Sequence, residues 1–295
     1  MSTPAVTDLA LSRRLERAEA KASAAYVESR ARTDPSLGAE WRDVSGTYAM
    51  FDGVGSPLSQ TFGFGLFAPP SADDLTTIER FFLDRGAEVF HEVSPLADPA
   101  VLGLLGERGY RPVELTSVMH MSLGDGATAG VQRGRATSLT VRRTEPGDER
   151  TWAEAAARGW SETPEAAAFI REFGEVSARA RGNVCFVADW DGAPIAAAAL
   201  AIHDGVALLA GASTDPAFRG RGAQAALLGT RLGYAMEAGC DLAMMGASPG
   251  SASQRNGERQ GFRIAYTRIK WALNWGQSRI SSVERGPRST DDIRL

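Results

Sequence analysis

With 295 residues the chain has room for one large domain or two ordinary ones. Its composition, 43% hydrophobic and 23% charged, is that of a globular protein, and a net charge of −4 without blocks of like charge gives no nucleic-acid footprint. Two cysteines make no disulfide framework, His91, His120 and His203 stand singly without metal-ligand spacing, and no run has signal-peptide or membrane-span length, so a cytoplasmic protein without metal, membrane or nucleic-acid partners is expected.

Residues 8–31 read as an amphipathic helix, with Leu9, Leu11, Leu15 and Ala18 set among Arg and Glu; Asp34-Pro35 and Gly38 break it. From Trp41 to Phe67 the pattern is β-rich. Strands are expected over 46–52 and 61–67, the second carrying glycines that point to a bulge or a close backbone approach. Pro69-Pro70 ends it, and Ser71 caps a helix over 72–85 with Asp73 and Asp74 in its first turn. A strand over 88–93, a helix over 99–107 closed by Gly109 and a long strand over 113–121 follow. Gly124–Arg135, rich in glycine and poor in apolar residues, reads as a linker.

The pattern then starts again. A strand over 139–143 leads to helices over 148–158 and 163–180, with Pro164 at a first-turn position of the latter. Strands over 184–190 and 195–203 are joined at Asp191-Gly192, a strong hairpin signal. An apolar strand over 206–212 runs into a tight loop containing Gly220 and Gly222, and a helix begins at Ala223 with Leu227, Leu228 and Leu232 on one face. A short strand over 242–245, a helix over 251–260 and a strand over 263–273 complete the pattern; the tail 278–295 is polar and aperiodic.

The halves match in detail. Arg85–Phe90 (RGAEVF) aligns with Ala238–Ala243 (AGCDLA), and Gly106–Arg111 (GERGYR) with Gly257–Arg263 (GERQGFR) at one residue of slippage. Two copies of one fold are expected, with an N-terminal domain at 1–125, a linker at 126–136, a second domain at 137–277 and a tail at 278–295. Tandem copies can mimic a dimer within one chain, so a monomer or a homodimer is expected.

The helix starting at Ala223 has no Asp, Glu, Ser or Thr in its first turn, so its free N–H groups lack a local partner. An anion reinforced by Arg219 and Arg221 fits there; so does an ordinary glycine turn capped by water. The stretch Arg219-Gly220-Arg221-Gly222-Ala223-Gln224 resembles the R/Q-x-x-G-x-G/A pyrophosphate loop of the GNAT N-acyltransferases, departing from it at Gln224. Thr214–Phe218 resembles the family's lead-in to that loop.

The resemblance implies a mixed α/β (α+β) fold of two tandem GNAT-like domains, each a mostly antiparallel sheet with splayed parallel central strands flanked by helices. It implies acetyl-CoA as cosubstrate, held by Arg219, Gly220, Arg221, Gly222, Ala223, Gln224 and Ala225 at the pyrophosphate and by Ala212, Ser213 and Thr214 along the pantetheine. Asn256, in the run SASQRN, takes the place of the family's CoA-contacting Asn. The implied reaction is acetyl transfer to a primary amine of a small molecule by direct attack on the thioester in a ternary complex. Trp160, Phe169 and Phe173 fall where relatives shape the acceptor site, and their helical spacing fits core packing better. The Glu that many relatives use as base on the fourth strand is absent, and Gln260 replaces the usual acid Tyr. Tyr266 and Ser253 are therefore the catalytic candidates, and a non-catalytic acyl-CoA-binding regulatory module is the alternative. In the first copy Ala68–Asp74 occupies the loop position with two prolines and two carboxylates, so that copy is expected to be degenerate.

Overall fold

The computed structural model describes residues 7–124 and 138–273; the expected linker and tail fall outside them. Helix α1 (Leu9–Thr33) is capped by the Asp8 carboxylate, which accepts from the Leu11 N–H at 2.8 Å. The first half continues with β1 (Glu40–Val44), β2 (Thr47–Phe51), β3 (Gln60–Phe62), α2 (Ala72–Leu83), β4 (Phe90–Val93), α3 (Ala100–Glu107) and β5 (Arg111–Ser122). The second comprises β6 (Leu139–Arg143), α4 (Glu149–Arg158), α5 (Pro164–Ala178), β7 (Asn183–Trp190), β8 (Ala193–His203), β9 (Val206–Thr214), α6 (Ala223–Glu237), β10 (Leu242–Ala247), α7 (Ala252–Arg259) and β11 (Arg263–Ala272).

The hairpin expected at Asp191-Gly192 forms, with φ of 49° and 81° at the two residues, as a type I′ turn requires. One expected strand is cut short. Instead of running to Phe67, β3 stops at Phe62, because Gly63 and Gly65 adopt φ of 90° and 69° and the Leu66 N–H closes a turn onto the Gly63 carbonyl.

The eleven strands of the described residues form one mixed sheet in the order β1-β2-β3-β4-β11-β5-β10-β9-β8-β7-β6. Each half contributes one parallel pair, β3 with β4 and β9 with β10, flanked by antiparallel strands. The two halves do not keep separate sheets, because their last strands are exchanged: β5 lies between β10 and β11, and β11 lies between β4 and β5. Each last strand thereby satisfies the outer backbone edge of the other half's parallel pair. The outermost strands, EWRDV and LTVRR, carry charges that blunt edge-to-edge pairing.

Helix α1 serves both halves. Its Leu11 and Leu15 pack with Val206, Leu208, Leu242 and Met244, while Ala20, Ala24 and Val27 pack with Met50 and Phe62. On the opposite face α6 buries Leu227 and Leu232 against β7–β10, and α2 buries Leu75, Ile78 and Phe82 against the first half. Because a central strand of each half comes from the other, a chain severed between residues 124 and 138 is expected to give two fragments that stay unfolded apart. Co-expressed, they should assemble, with a circular dichroism spectrum and thermal transition that neither shows alone.

Candidate functional site

The sheet opens at one place in the second half. Strands β9 and β10 pair only through Val206–Leu208 and Leu242–Met244; beyond these, Leu209–Thr214 and Met245–Ala247 form no bridges with each other. The opposite edge of β10 is fully paired with β5 over all six of its residues. A bulge in β9 directs the divergence: Gly211 and Ala212 together oppose Ala198, between the pairs Ala199↔Ala210 and Ala197↔Ser213. Gly211 has φ of 58°, a left-handed value that disfavours any β-carbon. Ala212 is exposed while Ser213 and Thr214 are buried.

At the end of β9 the chain turns through Pro216–Phe218, with the Asp215 carboxylate accepting from the Ala217 N–H at 3.0 Å. Gly220 and Gly222 follow at φ of 77° and 87°, and Gly222 is the N-cap of α6. No side chain caps this helix, and its first turn contains no carboxylate. Among the described residues the backbone N–H groups from Gly220 to Ala225 have no hydrogen-bond acceptor, the first intrahelical bond being Ala226 N–H to the Gly222 carbonyl. This is the ready anion site of a helix N-terminus, continued backward through the loop.

The side chains around it are already placed. The Arg221 guanidinium lies 5.1 Å from the ring centres of both Trp190 and Phe218. Arg219 donates to Glu162 at 2.7 Å and to the Gly159 carbonyl at 3.2 Å, tying the loop to the α4–α5 turn. Gln224, the residue that departs from the family pattern, swings its amide back to donate to the Thr214 hydroxyl at 2.8 Å, leaving its own backbone N–H free. The Ser213 hydroxyl donates to the Ala156 carbonyl at 2.8 Å, so its side chain anchors α4 and only its backbone faces the opening. The α4 end fits tightly: a β-carbon on Gly159 would fall 2.4 Å from that of Ser213.

The residues expected to bind cofactor thus split by location. Ala212, Ser213 and Thr214 edge the opening, and Arg219, Gly220, Arg221, Gly222, Ala223, Gln224 and Ala225 form the loop and helix start. Asn256 is exposed on α7, its side-chain oxygen accepting from Arg259 at 2.8 Å. Ser253 is exposed in the first turn of the same helix, whose cap is instead Ser251.

Tyr266 lies away from this opening. It sits on β11, two strands from β10, and its hydroxyl donates to buried Glu16 at 2.9 Å. Burial pushes its pKa far above the ordinary tyrosine value, with the Glu16 carboxylate adding to the effect. Phe173 is likewise a packing residue, stacked on Tyr26 at 4.3 Å.

The first half has no equivalent opening. Where β3 would continue, the Gly63–Leu66 turn crosses the gap, and the Gly65 carbonyl accepts from the Asp98 N–H at 2.9 Å. A β-carbon on Gly65 would lie 2.2 Å from Val101. Helix α2 is capped internally, Ser71 accepting from the Asp74 N–H at 3.0 Å, with Asp73 and Asp74 already matched to its dipole.

Sequence reasoning missed Trp152, Gly159 and Arg231. Trp152 packs under Gly211 and donates to the Ala198 carbonyl at 3.2 Å. Arg231 had a readable signal, an arginine beside Leu232 on the apolar stripe of its helix. Gly211 had one too, a glycine inside a strand. Among the described residues no cluster of His, Cys, Asp and Glu is arranged to hold a metal, and no helix is long and apolar enough to cross a membrane.

Comparison with known proteins gives three findings. Residues 149–262 match the acetyltransferase (GNAT) family model. No curated protein matches the chain. Solved structures do: a GCN5-related N-acetyltransferase from Kribbella flavida is 19% identical with a TM-score of 0.57, covering 85% of this chain and 96% of that one. A tandem GNAT protein of the clavulanic acid biosynthesis pathway is 14% identical with a TM-score of 0.55, covering 79% of each chain. FemX is 12% identical with a TM-score of 0.53, covering 88% of this chain and 93% of that one. At these identities the structural matches establish the fold.

Proposed function

On the premise that residues 149–262 form a GNAT acetyltransferase domain within a tandem GNAT fold, we propose that the protein transfers an acetyl group from acetyl-CoA to a primary amine of a small molecule. The observation that carries this reading is the run of unpartnered N–H groups from Gly220 to Ala225, beside two arginines and directly after the open end of β9. A pyrophosphate supplies the acceptors this run lacks. The pantetheine then lies between β9 and β10, where the bulge at Gly211–Ala212 turns backbone toward the thioester.

In the reaction the amine nitrogen attacks the thioester carbonyl, a C–N bond forms and the C–S bond breaks. The amine proton is lost, and the CoA thiolate gains one. Bound acetyl-CoA supplies the activated acyl group; this chain's residues bind it, orient it and hold the α4–α5 turn against the end of β9. Orientation alone can supply much of the barrier reduction. The N-terminal half, its gap closed by Gly63–Leu66, acts as support and strand donor. The protein acts in the cytoplasm, as a monomer or a homodimer.

A second reading, an acyl-CoA-binding regulatory module, is favoured by two observations: Tyr266 is committed to Glu16, and Gln260 occupies the usual acid position. Calorimetric titration with acetyl-CoA, followed by free-CoA release against amines, amino acids and aminoglycosides, separates the two. Binding with turnover of at least one amine is expected. Binding without turnover across the panel supports the regulatory module, and no binding at millimolar acetyl-CoA refutes both.

A further inference from the structure

The bulge that opens the sheet is held from both faces by side chains that bond nothing but backbone there. On the α4 face, Trp152 Nε1 donates to the Ala198 carbonyl at 3.2 Å and its ring lies 3.7 Å from where a Gly211 β-carbon would stand. On the α6 face, one nitrogen of Arg231 donates to the Ala199 carbonyl at 3.0 Å and to the Ala210 carbonyl at 3.4 Å. Those two residues form the last regular pair before the bulge. A further nitrogen donates to the Leu227 carbonyl one turn back.

Arg231 is 4% exposed, and among the described residues no carboxylate pairs with it. An unpaired buried guanidinium is costly, and the cost is reduced only by hydrogen bonds to the charged group. Burial lowers its pKa to about 10, which still leaves it protonated at neutral pH. A methionine or leucine would fill the space among Leu227 and Leu232 without that cost. What an aliphatic side chain cannot do is fix the carbonyls of Ala199 and Ala210, and so the direction in which the chain leaves that pair.

We propose that Arg231 is a positioning residue for the acyl-bearing arm of the cosubstrate: with Trp152 it clamps the β9 bulge in the conformation that presents Ala212–Thr214 to the pantetheine and thioester. This rests on the acyl-CoA reading above and assigns to a residue remote from the pyrophosphate loop a share in binding one part of the ligand. The clamp acts on the pantetheine segment, while the Gly220–Ala225 loop has support of its own from Asp215 and from Arg219, which bonds Glu162 and the Gly159 carbonyl.

The test compares two probes by calorimetry: acetyl-CoA, and 3′-phospho-ADP, which keeps the pyrophosphate and lacks the pantetheine. In Arg231→Met, acetyl-CoA affinity should fall about tenfold, the equivalent of one or two backbone contacts. Affinity for 3′-phospho-ADP should be unchanged, and Arg231→Lys should recover part of the acetyl-CoA loss. Trp152→Phe, which removes the indole donor and the part of the ring that lies against Gly211, should show the same one-sided loss and serves if Arg231→Met does not fold. Equal losses for both probes would overturn the assignment in favour of a general structural role, and unchanged acetyl-CoA binding in folded variants would overturn it outright. Absence of acetyl-CoA binding by the wild-type protein would refute the acyl-CoA reading itself, a result distinct from either.

Discussion

Gly222→Asp is expected to weaken acetyl-CoA binding about 100-fold, measured calorimetrically at low salt, with little change in the melting temperature. Two effects add. Gly222 has φ of 87°, where a side chain costs roughly 1–2 kcal/mol of backbone strain. The new carboxylate also becomes the N-cap of α6 and accepts from the N–H groups that a pyrophosphate would otherwise use, while repelling its charge. The cap compensates for the strain in the free protein, so stability changes little while the ligand loses both its donors and its favourable field. The reciprocal change in the first half, Asp73→Asn with Asp74→Asn, should leave acetyl-CoA binding as it was, because the Gly63–Leu66 turn already closes that half's gap. If the first-half variant lost binding and Gly222→Asp kept it, the roles of the halves would be reversed.

The sequence told most about features written locally. Helix starts at Asp8 and Ser71, the Asp191-Gly192 hairpin and the glycine loop before α6 all depend on residues within a few positions of one another, and the structure has each. The internal repeat revealed two similar halves, and the contrast between Ala68–Asp74 and Arg219–Gln224 pointed to the second as the binding half. What escaped depends on pairing across long separations. GERGYR and GERQGFR announce equivalent final strands, yet nothing in either says that β5 and β11 exchange places. The same exchange explains where Tyr266 lies. Within one isolated domain a tyrosine just after the last helix is a reasonable acid; on an exchanged strand beneath α1 it meets Glu16, 250 residues away. The glycines at 63 and 65 were noticed as strand irregularities, but that they stop β3 and seal a gap depends on Asp98 and Val101 from the following crossover.

The exchanged strand also carries the group whose loss should destabilise the fold most. Arg268, on β11, is 2% exposed and donates to Glu92 on β4 at 2.9 Å and to Glu19 on α1 at 2.7 Å, with Glu16 at 3.3 Å. Arg268→Met would leave these carboxylates facing one another without their shared cation, and a loss of about 3–5 kcal/mol is expected by urea denaturation. Because β11 pairs with both β4 and β5, the loss should appear as a single cooperative transition of both halves. Glu16 gives the cluster a pH signature. Burial raises its pKa from 4.5 to about 7; Arg268 opposes the shift, and Glu19 and Glu92 add to it. A carboxyl whose pKa is higher in the folded state is ionised more readily in the unfolded chain. The wild-type protein therefore loses stability as pH rises from 4.5 to about 7, by about 3 kcal/mol from this group. His91, with its pKa lowered by burial to about 3, slopes the other way, its contribution being lost as pH falls below 6.5. Comparison with Glu16→Gln at each pH cancels the histidine contribution. The glutamine variant should gain on the wild type by about 3 kcal/mol between pH 4.5 and 7 and by nothing further above that. A difference that stays flat across this range would mean that Glu16 is ionised throughout, held so by Arg268.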